Sequence, residues 1–83
     1  MVYWQRFDPA SFDYEFNEDE LTTHGITVDE ATEVFWNGFE VRQNKRQGTG
    51  YQILGQTDAG RSLKLIVYEK RRRLIRVVTG WPI

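Results

Sequence analysis

Chemistry in this chain has few side chains to draw on. His24 is the single histidine, and histidine alone has an unperturbed pKa, about 6.5, close to working pH. Two arginines stand where they could grip an anion. Arg61 follows the turn Asp58-Ala59-Gly60, and Arg76 interrupts the apolar run Leu74 to Val78. A guanidinium can hold phosphate through two parallel hydrogen bonds. A proton carrier with two phosphate-holding cations is what cleavage of a phosphodiester needs: a base for the attacking hydroxyl, cations for the transition state, an acid for the leaving oxygen. Each residue also has a plainer reading. His24 fits the last turn of a helix, where a cation suits the dipole. Arg61 fits an ordinary turn, and Arg76 an exposed or ion-paired position on a strand.

Other chemistries are closed off. There is no cysteine, so disulfides, thiolate metal sites and cysteine nucleophiles are excluded. A zinc or iron site would need carboxylates for nearly all its ligands, and we expect no metal and no cofactor. No apolar run approaches the ~20 residues of a membrane span. The N-terminus lacks the basic-then-apolar pattern of a signal peptide, so the expected location is cytoplasmic, away from membranes.

Further candidates come from the charge pattern. Through Glu40, ten acids oppose Arg6 alone, a balance of −9; from Val41 onward, ten bases oppose Asp58 and Glu69, a balance of +8. Such polarity suits a nucleic acid or a charged protein partner, or neutralisation of one half by the other in the fold. Lys45, Arg46, Arg71, Arg72 and Arg73, with Tyr51 as an aromatic platform, form a candidate RNA-binding set. Trp4, Trp36 and Trp81 are expected as core or interface anchors, with Trp81 a candidate contact for a partner.

The elements that must position these residues are legible in outline. Met1 to Ser11 reads as an irregular extension with a turn at Asp8-Pro9. Phe12 to Phe16 alternates aromatic and acidic residues, the period of a strand. Asn17 with Glu20 three positions on reads as a capping box opening a helix to His24, which stops at Gly25. Thr27 with Glu30 opens a second helix whose buried stripe is Val28, Ala31, Thr32 and Phe35, ended by Asn37-Gly38. Strands follow at Phe39–Arg42, Tyr51–Gly55, Leu63–Tyr68 and Leu74–Thr79, the last two joined by the basic hairpin loop Lys70 to Arg73. One domain of α+β class is expected: two short helices on one face of a four- to five-stranded, mainly antiparallel sheet.

In this order the motifs resemble a known family. His24-Gly25-Ile26-Thr27, Glu30-Ala31 and Val34-Phe35, then Leu54 to Arg61, the Leu-rich strand and Ile75-Arg76-Val77-Val78-Thr79, are similar to the core of BrnT-type toxins. Tyr14-Glu15-Phe16-Asn17 resembles that family's opening, with Phe16 where Trp is common. The likeness runs from Tyr14 to Thr79. It implies a RelE/ParE-like fold, metal-independent ribonuclease activity on mRNA and a small DNA-binding antitoxin as partner, and in that setting His24, Arg61 and Arg76 are the expected catalytic residues. Two positions depart from the pattern. Thr23 stands where a basic residue usually precedes the His, and Gly80-Trp81-Pro82-Ile83 stands where an "AR-A" segment usually follows. The second departure and the acidic helical half suit a different class, a non-catalytic protein-interaction module that kept the fold and lost the C-terminal catalytic segment.

Overall fold

A computed structural model describes residues 2–44 and 50–83. Its elements are β1 (Asp13–Phe16), α1 (Glu18–Thr23), α2 (Val28–Trp36), β2 (Phe39–Asn44), β3 (Gly50–Gln56), β4 (Ser62–Arg71) and β5 (Leu74–Pro82). The five strands form one sheet in the order β1-β5-β4-β3-β2. Strands β2 to β5 are the expected antiparallel meander, while β1 runs parallel to β5, so the sheet is mixed and the class is α+β. No helix among the described residues is long and apolar enough to cross a membrane.

Local chemistry accounts for both helix starts. At α2 the Thr27 hydroxyl accepts from the Glu30 N–H (3.1 Å) while the Glu30 carboxylate accepts from the Thr27 N–H (3.1 Å), a full capping box. At α1 only half of that arrangement forms. The Asn17 side chain accepts from the Glu20 N–H at 3.4 Å, but the Asn17 N–H is already bound to the Val77 carbonyl at 3.0 Å. The Glu20 carboxylate instead accepts from the Thr79 hydroxyl, 3.1 Å away. The end of α1 follows its residues closely. Gly25 takes φ +73°, the Ile26 N–H reaches the Leu21 carbonyl (2.9 Å) and the Gly25 N–H reaches the Thr22 carbonyl (2.9 Å). This Schellman closure satisfies helix-end carbonyls and brings Ile26 back onto Leu21, both buried.

Leu21, Ile26, Ala31, Val34 and Phe35 meet Ile53, Leu63, Leu65, Val67, Ile75 and Val77 in one core cluster. On the strands these residues alternate, so both helices lie on one face. The buried stripe of α2 is Ala31, Val34 and Phe35; Val28 and Thr32, expected inside, are only half-buried. Fully burying such an apolar side chain contributes about 1.5–3 kcal/mol, so this cluster dominates the fold's stability. Residues before β1 are part of the packing. Two short 3₁₀ turns, Trp4–Arg6 and Pro9–Ser11, set Phe7 against Trp4 (5.1 Å between centroids) and Phe12 (4.9 Å), and Trp4 against Tyr51 (5.2 Å). The expected irregular extension is therefore an aromatic cover over the helix-bearing side of the sheet.

Helix α1 takes over where β1 stops. Beyond Phe16 the neighbour of β5 on that side is α1, and the contacts advance together. Asn17 meets Val77, Glu20 meets Thr79, Leu21 lies beside Gly80 and His24 beside Trp81. Gly80 sits tightly here, since a Cβ on it would lie 2.7 Å from Leu65 Cδ2 and 2.9 Å from the Lys64 carbonyl oxygen.

Candidate functional site

The face opposite the helices collects side chains by register. One row across the strands is Glu40, Leu54, Lys64 and Trp81; the next is Arg42, Gln52, Ile66 and Thr79; the third is Tyr68, Arg76 and Glu15. The irregularity between Ile66 and Val67 in the β4–β5 register leaves Val78 unmatched, which keeps Arg76 on the same face as Thr79 and Trp81.

Two constellations stand on this face. At the rim beside α1, the exposed His24 ring lies 6.0 Å from Trp81, tilted by 56°, and the Lys64 ammonium lies 5.6 Å from the Trp81 ring centroid. Towards β1, the Glu15 carboxylate accepts from Lys70 Nζ (3.0 and 3.1 Å) and from Arg76 Nη1. The Lys70 ammonium, with Arg76 adding to it, holds Glu15 below the usual carboxylate range.

The three residues expected to be catalytic do not meet at one point. His24 caps the end of α1. Arg61 comes near it, because its Nη1 donates to the carbonyl of Gly25 (2.9 Å), the residue after His24. The same nitrogen also donates to both Glu30 oxygens (3.2 and 3.0 Å), so this guanidinium ties the β3–β4 turn to the α1–α2 junction. The Thr27 N–H, with Arg61 beside it, holds Glu30 below its ordinary pKa. Arg76 lies elsewhere. At about 3.3 Å of rise per residue, the strand from Arg76 to Trp81 separates it from the His24 rim by roughly 15 Å.

The expected RNA-binding set divides. Lys45 and Arg46 lie outside the described residues. Tyr51 is half-buried on the helix-bearing side against Trp4, so its ring belongs to the aromatic cover and offers no open platform. The hairpin loop is tighter than expected: β4 runs through Arg71, leaving Arg72 and Arg73 to turn, with Arg73 at φ 62°. The Arg73 carbonyl accepts from the Asp13 N–H at 2.8 Å, and its guanidinium donates to the Ser11 carbonyl at 3.3 Å. Arg71, Arg72 and Arg73 line a groove of about 970 Å³ together with Arg6, Asp8 and Glu69.

Lys64 and the role of Trp81 beside His24 were missed in the sequence. The signal was faint: Lys64 alternates with the buried Leu63 and Leu65, which puts it on the other face, but nothing in the order of residues pairs it with Trp81. Among the described residues, no group of three or more His, Asp or Glu side chains could hold a metal ion.

No family model, curated protein or solved structure matches this chain.

Proposed function

We propose that the chain is the toxin-like component of a toxin–antitoxin pair: a metal-independent ribonuclease of RelE/ParE-like architecture acting on mRNA, held in check by a small DNA-binding antitoxin. The observation that carries this reading is the set of side chains on the helix-free sheet face. Both helices pack on the other side, and this face presents Arg42, Lys64, Tyr68, Arg76 and Trp81 in cross-strand rows, Arg42 paired with Glu40 and Arg76 with Glu15, with His24 at its rim. Cations with interleaved aromatic rings on a sheet suit a single-stranded phosphate backbone and its unstacked bases. The likeness of the His24-Gly25-Ile26-Thr27 and Leu54 to Arg61 motifs to BrnT-type toxins supports the same reading.

In the proposed reaction the 2′-hydroxyl of one nucleotide attacks the adjoining phosphorus and the 5′-oxygen leaves, giving a cyclic 2′,3′-phosphate and a free 5′-hydroxyl. His24 moves the proton, as base towards the 2′-hydroxyl or as acid towards the leaving oxygen. Lys64, within the same constellation, balances charge on the phosphate. Arg76 holds a phosphate further along the strand, and Arg61 braces the α1–α2 junction through Gly25 and Glu30, away from the phosphate.

The alternative of a non-catalytic interaction module is favoured by one observation: both expected phosphate-binding arginines are engaged by carboxylates, Arg61 by Glu30 and Arg76 by Glu15. Induced expression in a bacterial host separates the two readings. For the wild type we expect growth arrest with degradation of total RNA, relieved by His24→Ala and reduced by Arg76→Ala. Normal growth and intact RNA with all three chains would favour the interaction module.

A further inference from the structure

Trp81 is half-buried, yet it does not pack on the core cluster as most half-buried aromatic residues of this fold do. Trp4, Phe7, Phe12, Tyr14, Phe16, Phe39 and Tyr51 all pack against the core cluster; Trp81 does not. Its neighbour Gly80 faces Leu65 and Leu21, so the alternation of β5 puts the indole on the helix-free face. Two polar groups lie beside the ring: the Lys64 ammonium 5.6 Å from its centroid and the His24 imidazole at an angle. Lys64 makes no ion pair among the described residues, so its charge is available to a phosphate.

The backbone that carries the indole is held in the ladder. Trp81 pairs with Lys64 in the β4–β5 ladder, and the ladder continues past it, because the Ile83 N–H donates to the Ser62 carbonyl at 3.0 Å. The close fit of Gly80 under Leu65 fixes the backbone on the other side. A large flat apolar surface, fixed on a strand, with a cation over it and a titratable ring at its edge, matches one nucleotide of a single-stranded RNA. The base offers a π-face to the indole, and the adjoining phosphate lies within reach of the ammonium.

Resting on the ribonuclease reading, we infer that Trp81 is a base-stacking platform, with Lys64 as its phosphate contact, and that it presents an unpaired nucleotide to His24. The platform selects single strands, since a base inside a duplex has both faces covered by its neighbours.

The test uses the full chain and a fluorescently labelled 2′-O-methyl oligouridylate, which has no 2′-hydroxyl to react, so that binding is read apart from cleavage. Trp81→Ala is expected to weaken binding roughly tenfold, the worth of one stacked base, and Trp81→Phe to restore most of it. Lys64→Ala is expected to weaken binding and to lower the slope of log affinity against log salt by about one phosphate contact. Wild type should prefer the single strand to a duplex of equal length, and Trp81→Ala should lose that preference. Circular dichroism confirms that each variant is folded. If wild type binds and Trp81→Ala binds equally well with the same preference, the platform is overturned while the ribonuclease reading stands. If wild type binds no RNA at low salt, the reading beneath it fails as well.

Discussion

Arg61 offers the sharpest separation between a structural and a catalytic arginine. Its Nη1 donates to the Gly25 carbonyl and to both Glu30 oxygens, with the two side chains 37% and 26% exposed. An ion pair at such exposure is worth about 0.2–1 kcal/mol, and a charged donor to a carbonyl adds about 1.5–3 kcal/mol where water is excluded. With solvent screening discounted, Arg61→Ala should destabilise the fold by about 1–2 kcal/mol. In a domain of this size that lowers the melting temperature by roughly 4–16 °C, at 4–8 °C per kcal/mol. Glu30→Gln is the matching change, because glutamine can still accept from the Thr27 N–H and loses only the charge facing Arg61. Urea unfolding of the wild type, both single variants and the double variant should give a coupling energy of about 0.5–1 kcal/mol. Below its melting range, Arg61→Ala should cleave RNA within a few-fold of wild type. Unchanged stability, zero coupling and abolished cleavage would together refute the reasoning and return Arg61 to the phosphate.

Gly80→Ala should cost about 1–3 kcal/mol, because the new methyl collides with Leu65 and with a backbone oxygen that cannot swing away; denaturant midpoints measure it. Tyr14, whose hydroxyl donates to the Pro9 carbonyl at 2.9 Å, is pushed up to about 12 by burial and by nearby Asp8. Spectrophotometric titration should therefore show one tyrosine ionising well above the ordinary phenol value of about 10, and stability falling as pH rises from that value towards 12. Glu15 and Glu30 are both held below the ordinary glutamate range. The stability they contribute is present above the usual glutamate pKa of about 4.3 and lost as pH falls through their depressed values. Melting curves through that acid window should show Glu15→Gln and Glu30→Gln flattening the loss.

The parts of the fold set by neighbouring residues could be read from the chain. Asn17, Thr27 and Gly25 mark helix ends through side-chain and backbone hydrogen bonds within a few positions. The alternation of Leu63, Leu65 and Val67 assigns the inner face of β4. Pairings across long stretches of chain could not be read. The parallel docking of β1 on β5, Arg61 on Glu30, and Lys70 and Arg76 on Glu15 all depend on which element becomes a neighbour, and periodicity does not specify that. For the same reason the aromatic residues before β1 looked like an extension, since the surface they cover is assembled from α2, β2 and β3. The site was legible only in part: His24 stood out by its chemistry, while its setting beside Trp81 and Lys64 arises from α1 running along β5 where β1 has ended.

The proposed ribonuclease would cleave RNA through His24 at the rim of the helix-free sheet face. Purified protein incubated with a single-stranded RNA in the presence of a chelator tests it most directly, with product ends identified by mass. We expect cleavage leaving cyclic 2′,3′-phosphate and 5′-hydroxyl ends, and a loss of about 10²–10⁴-fold in His24→Ala, the usual worth of a general acid or base. RNA left intact by folded wild-type protein, or cleavage that survives His24→Ala at full rate, would contradict the account.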